Sequence, residues 1–246
     1  MSYISKNNNI KLSLDNTTDN RFVSNCLKMH IQIGEVFYPM IRILPGKFFM
    51  GGNKSFDGLF HEEFISNPYY IGVFPITQLL WKQFFPHNNS SKYIGPNRPV
   101  DELSLEDCLS FIEMMKHHTG LPFSMPTESQ WEYAALGGSL SNHSVLAGGN
   151  NPDELFEKNE VDDGYQSMTY DVGIYKANEL GLFDMNSNVA EWCTSYDDKY
   201  HKYVLKGGVL GFEGGLIWEE CSIAEQIHET VDSYTPNKGL RLVVNL

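Results

Sequence analysis

The feature that most constrains this chain is a run of oxygen-bearing side chains close to residue 190. These side chains lie between apolar neighbours and belong to Asp184, Asn186, Ser187, Asn188 and Glu191. Calcium prefers about six to eight oxygen ligands, so a loop of this composition can wrap around a cation. The run is not an EF-hand, because Val189 stands where such a loop needs glycine and the closing glutamate is missing. Two interpretations remain: a cation-binding loop, or a turn closed by asparagine and aspartate side chains.

The charge of the chain argues against polyanionic partners. The formal net charge is −13 and the chain has only four arginines, so we expect no binding to nucleic acid or to anionic membranes. No run of eighteen apolar residues occurs, and residues 1–25 lack the pattern of a secretory signal. We therefore expect a cytoplasmic protein whose four cysteines, which show no metal-binding spacing, stay reduced.

Helix start signals occur at three places. Thr77 and Ser104 can each cap a helix, and Thr127 with Gln130 forms a capping box for a third. The second helix has apolar residues at helical spacing, which predicts burial of Leu105, Cys108, Leu109, Phe111, Ile112 and Met115. Alternating residues within 32–50 and 69–74 predict strands. Residues 1–30 are interpreted as a polar extension and residues 31–246 as one domain, loop-rich beyond residue 137.

Seven motifs in order resemble the formylglycine-generating enzyme family, also known as the sulfatase-modifying factors. Residues 178–193 resemble the family signature N-x-x-G-L-Y-D-M-x-G-N-V-W-E-W. The other motifs are similar to family segments and lie at residues 48–52, 69–78, 98–100, 125–135, 206–208 and 239–242. The resemblance implies an α+β, C-type-lectin-like fold with few helices, small twisted antiparallel sheets and a high coil content.

The catalytic positions of the family are changed in this chain. In active members of the family, two cysteines after the R-G-G-S motif hold copper(I), because soft thiolates suit that ion. Counted from the Gly207-Gly208 pair, the two positions fall on Phe212 and Ile217, which cannot bind a metal. We therefore expect no copper, no catalytic residue and no conversion of a sulfatase cysteine to formylglycine.

The calcium site of the family is better preserved than its copper site. The resemblance assigns side-chain ligands to Asp184 and Glu191 and backbone ligands to Ser187 and Val189. Both carboxylates persist, so a structural calcium ion is expected at these four residues.

The resemblance and the lost thiols together favour a pseudoenzyme that binds a ligand or a protein partner. Its expected binding residues, in the region of the family's substrate groove, are Phe212, Trp218, Glu219, Glu220 and Tyr234. Lectin-like folds of this kind also carry the variable binding surfaces of retroelement-diversified proteins. The alternative is an enzyme of a copper-independent subclass, with siderophore-maturation or other oxidoreductase chemistry.

Overall fold

The computed structural model describes residues 13–15 (backbone only), 28–51, 60–142, 144–155, 169–208, 222–233 and 237–246. Its strands are β1 (Ser13–Asp15), β2 (Lys28–Ile33), β3 (Val36–Ile43), β4 (Gly46–Met50), β5 (His61–Ile65), β6 (Tyr69–Gly72), β7 (Phe123–Ser124), β8 (Ala190–Asp197), β9 (Lys202–Lys206), β10 (Ile227–Glu229), β11 (Lys238–Gly239) and β12 (Val243–Asn245). Its helices are α1 (Gln78–Trp81), α2 (Leu105–Thr119), α3 (Glu128–Ala135) and α4 (Pro152–Leu155), with a 3₁₀ turn at Gly138–Leu140.

A six-stranded antiparallel sheet forms the centre of the fold, in the order β1-β2-β3-β6-β12-β7. β12, close to the carboxyl terminus, lies between β6 and β7, where Val243 pairs with Ile71 on one side and with Ser124 on the other. The end of the chain is therefore built into the sheet. β1 adds an edge strand from within the predicted extension.

Both faces of this sheet are covered, and β3 shows how. Tyr38 and Met40 join the apolar core that contains residues of α1 and α2. Ile41 and Ile43 join a second core that contains residues of α3, β4 and β5. Because successive side chains of a strand point to opposite faces, the near-continuous apolar run of β3 supplies both cores.

Two smaller sheets complete the fold. β10-β9-β8-β11 forms a four-stranded sheet in which only the short β8–β11 pairing is parallel, and β4-β5 forms a hairpin. Few helices, small and mostly antiparallel sheets and much coil confirm the predicted fold class. Within the described residues, no helix is both long enough and apolar enough to cross a bilayer.

The helix start signals are confirmed, with one error in the predicted core. Thr77, Ser104 and Thr127 are the N-caps of α1, α2 and α3, and the last two form complete capping boxes. Cys108 is fully buried, as expected, but Leu109 is 48% exposed. The side of α2 that carries Leu109 faces outward, because the core is filled from the adjacent side of the helix by Cys108, Phe111, Ile112 and Met115.

Gly72 occupies a position where the sheet has no room for a side chain. A Cβ atom added there would lie 1.8 Å from the hydroxyl of Tyr38, which itself bonds Phe74 O and Leu242 N. We expect Gly72→Ala to destabilise the protein by about 3 kcal/mol, because the ring of Tyr38 must move.

Gly120→Ala is the control for this prediction. Gly120 has φ +70° and no heavy atom within 4 Å of an added Cβ, so alanine meets backbone strain alone. Its cost should be about 1–2 kcal/mol. Urea unfolding measures both values, and an equal cost at the two positions would contradict the packing argument.

Candidate functional site

The loop predicted to bind a cation is buried, and its two asparagines hold neighbouring loops. The side chain of Asn186 accepts from Ala147 N at 2.8 Å and donates to Ala147 O at 3.0 Å. The side chain of Asn188 accepts from Tyr170 N at 3.0 Å and donates to Tyr170 O at 3.2 Å. Each side-chain amide thus accepts from the N–H and donates to the C=O of a single residue, as the backbone of a neighbouring strand does. These hydrogen bonds join the loop to segments 39 and 18 residues away, and do not close a local turn as the turn interpretation expects.

Asp184 is the part of the loop with unused binding capacity. It has φ +59°, and its Oδ2 accepts from Gly173 N at 2.8 Å. Its buried Oδ1 accepts no hydrogen bond from the described residues. Burial raises the pKa of Asp184 to about 6, and the Gly173 amide and the Arg241 guanidinium offset only part of that effect. A small cavity lined in part by Asp184 has room for little more than one water-sized group.

Glu191 is fully buried and is held by two partners. Arg241 Nε lies 3.0 and 2.9 Å from its two carboxylate oxygens, and Arg241 Nη2 lies 2.8 Å from Oε1. Trp131 Nε1 donates to Oε2 at 2.6 Å. Both oxygens of the carboxylate are therefore engaged by protein donors.

Arg241 has a partner for every N–H group of its guanidinium. Besides Glu191, it donates to the carbonyls of Gly72 at 2.9 Å, Val73 at 3.0 Å and Phe183 at 2.7 Å. Proximity to the Glu191 carboxylate more than offsets the burial of the guanidinium, so the pKa of Arg241 stays above its ordinary value. The arginine is permanently charged and its charge is neutralised within the protein.

The four predicted calcium ligands fit an ion unequally. Asp184 offers an oxygen without a donor, but Glu191 could reach an ion only by giving up contacts with Arg241 or Trp131. The carbonyl of Ser187 accepts from Val189 N at 3.0 Å. Within the described residues, no three His, Cys, Asp or Glu side chains are grouped to hold a metal. The contacts of Glu191 argue against Glu191 as a calcium ligand, and therefore against the four-residue site that the resemblance implies.

A second group of buried charges lies along α3, and the sequence analysis did not single it out. Lys206 Nζ is 3.0 Å from Glu132 Oε2 and 3.4 Å from Glu128 Oε1. Glu132 also accepts from Gly51 N at 2.7 Å, and Gln226 donates to Glu128 at 2.6 Å. The available signal was the four-residue spacing of the two glutamates, which places them on one side of a helix.

The cysteines in the described residues are not set up as nucleophiles. Cys108 and Cys193 are unpaired and buried, and burial raises the pKa of both thiols. A protonated thiol is a poor nucleophile and a poor metal ligand.

All five residues of the predicted binding face lie outside the described residues. The same holds for the two copper-ligand positions, Phe212 and Ile217. It also holds for the remaining expected binding residues, Trp218, Glu219, Glu220 and Tyr234.

The ion pair between Glu191 and Arg241 should be essential to stability. We expect Glu191→Gln to lower the free energy of unfolding by about 3–5 kcal/mol without any added metal, because it leaves a buried guanidinium unpaired. Glu62→Gln is the control: Glu62 pairs with Lys47 at 3.0 Å on the surface, and its loss should change stability by no more than about 1 kcal/mol. Denaturant unfolding in chelator measures both, and similar small effects would show that the buried pair is dispensable.

Calcium should have little effect on stability if Glu191 keeps these partners. We expect the same melting temperature in millimolar calcium and in chelator, since a ligand stabilises only a state that binds it. A higher melting temperature in calcium than in chelator, abolished by Asp184→Asn, would contradict this expectation. It would indicate an ion bound by Asp184. Asparagine suits the test because it tolerates the left-handed backbone of residue 184.

Comparisons with known proteins give the same family as the motifs. The family model of the sulfatase-modifying factor enzyme 1-like domain matches residues 35–246. Chaperone protein LppX of Paenibacillus barcinonensis is 29% identical across 71% of this chain and 79% of its own length. The formylglycine-generating enzyme of Streptomyces coelicolor is 30% identical, across 47% of this chain and 38% of its own length.

Solved structures show the same fold at low sequence identity. Treponema denticola variable protein 1 superposes with a TM-score of 0.75 at 22% identity, covering 89% of this chain and 99% of that one. PvdO from Pseudomonas aeruginosa gives a TM-score of 0.67 at 18% identity, over 85% of this chain and 94% of that one. The family model covers most of the chain, and the motifs and the fold agree with it. This protein therefore belongs to the sulfatase-modifying factor enzyme 1-like family, the family of the formylglycine-generating enzymes.

Proposed function

We propose that this protein is a non-catalytic member of its family that binds a protein partner. The observation that carries the proposal is the pair of residues at the copper-ligand positions, Phe212 and Ile217. Neither side chain has an atom that can coordinate copper(I), whereas the active members need two thiolates there. The fold is retained without that pair, as expected for a scaffold that serves binding.

An exposed aromatic strip on the β4–β5 hairpin supports a protein as the partner. Phe49, Phe60 and Phe64 are each about half exposed, and the rings of Phe49 and Phe60 stack at 5.1 Å between centroids. The inward residues of the same hairpin, among them Phe48 and Ile65, fill the second core. Phe64 lies on the same face as Phe49, next to the surface ion pair of Lys47 and Glu62. Exposed aromatic groups are typical of surfaces that contact other proteins.

The relatives are in keeping with this proposal. LppX bears the name of a chaperone protein and matches this chain over most of the length of both. A chaperone binds polypeptides, so we extend polypeptide binding to this chain. We place the principal binding face at the expected residues Phe212, Trp218, Glu219, Glu220 and Tyr234, with the hairpin strip as an additional contact.

Absence of the family's copper chemistry is directly testable. Purified protein incubated with copper, oxygen and a sulfatase-type cysteine peptide should yield no formylglycine by mass spectrometry. Metal analysis of the same preparation gives a second readout. Formation of the aldehyde, or stoichiometric copper or iron in the purified protein, would overturn the proposal and favour the enzymatic alternative.

Binding through the hairpin strip can be tested with reduced insulin, whose chains aggregate and scatter light. The protein should suppress this scattering, and Phe49→Ser with Phe64→Ser should raise the concentration needed for half-suppression about tenfold, because two aromatic contacts are lost. Phe37→Ser is the matched control, since Phe37 is 58% exposed but lies on β3 outside the strip. No suppression by the wild-type protein, or an equal loss with Phe37→Ser, would count against the strip.

A further inference from the structure

A groove separates the start of α2 from the turn at residues 230–233. Its volume is about 200 Å³, and it is lined by Ser104, Leu105, Glu106, Leu109, Val231 and Asp232. We propose that this groove binds a lysine or arginine side chain presented by a partner polypeptide. The proposal rests on the proposed function in taking the partner to be a protein, and it adds the chemistry of the recognised residue.

Aliphatic side chains on both walls suit the stem of a long basic residue. Leu109 on α2 is 48% exposed and Val231 on the turn is 46% exposed. Their exposure is explained if a hydrocarbon chain lies between them. Lysine and arginine bury their methylene groups on such surfaces while the charged end stays near water.

Carboxylates on both walls suit the charged end of that residue. Glu106 projects from the first turn of α2, and Asp232 belongs to the opposite turn. An anionic ligand would meet repulsion from both groups, and an apolar one would strip water from them without compensation. The net charge of −13 also favours encounter with a basic partner.

The helix terminus and the nearby lysine do not reverse this charge preference. The amino terminus of α2 favours anions, but its Ser104 and Asp107 already form a reciprocal capping box. Lys238 is buried, and its Nζ donates to the carbonyl and the hydroxyl of Ser233 and lies 3.5 Å from Glu229. Lys238 therefore stabilises the turn from its buried side. These contacts do not engage the groove carboxylates of Glu106 and Asp232.

The turn that forms one wall is closed by its own backbone hydrogen bond. Ser233 N donates to Thr230 O at 3.2 Å, which closes the turn around Val231 and Asp232. Tyr234, one of the expected binding residues, follows Ser233 directly in the chain.

Fluorescence anisotropy with a labelled peptide of Gly-Ser-Arg repeats tests the proposal. The peptide should bind, and peptides with glutamate or leucine in place of arginine should not. Glu106→Gln combined with Asp232→Asn should weaken binding about tenfold, and Leu109→Ser about threefold. Val231→Ser provides a second aliphatic variant should Leu109→Ser lower the melting temperature.

Glu113→Gln is the matched control, because Glu113 is an exposed residue of α2 that does not line the groove. It removes one negative charge, as each of the two substitutions Glu106→Gln and Asp232→Asn does, and it should leave peptide binding unchanged. An equal loss with Glu113→Gln would show attraction to net charge alone. No binding of the arginine peptide, equal binding of the glutamate peptide, or an unchanged affinity in both aliphatic variants would each overturn the proposal. The formylglycine and insulin assays do not depend on the groove, so they test the proposed function separately.

Discussion

The buried contact between Arg241 and Glu191 joins parts of this fold that are far apart in the sequence. Arg241 precedes β12 and Glu191 lies in β8. The arginine also donates to carbonyls at the end of β6 and at Phe183. Trp131 adds α3 to the same cluster through the carboxylate. Burying two charges is unfavourable unless their hydrogen-bonding capacity is met, and here both partners meet it fully. The pair therefore specifies how one end of the central sheet meets the neighbouring loop.

The second buried group, Lys206 with Glu128 and Glu132, extends this arrangement along α3. Glu191 and Lys206 are directly opposite one another on β8 and β9, yet each finds its main partner elsewhere. Charges of opposite sign thus alternate through the interior between α3 and the four-stranded sheet. Buried polar groups whose hydrogen bonds are satisfied fix the positions of the segments that they join, here α3, β9 and the residues at Gly51 and Gln226.

Our proposal of binding rather than catalysis rests on observations from different parts of the chain. The copper-ligand positions hold Phe212 and Ile217, and the thiols within the described residues are buried and protonated. What the described surface offers instead is apolar contact area next to charge, in the hairpin strip and in the groove beside α2. Because interior contacts stabilise the fold, its surface residues can vary without loss of the fold. This suits a family whose fold supports several roles.

The sequence by itself determined the family, the fold class and the three helix starts. The caps at Thr77, Ser104 and Thr127 could be read directly, because a cap joins residues only three positions apart. The tertiary structure alone decided what the carboxylate of Glu191 binds, since its partner is fifty residues away in the chain. It also decided that Leu109 lies at the surface: helical periodicity marks the apolar side of α2, but only the elements packed against the helix set how much of that side is covered.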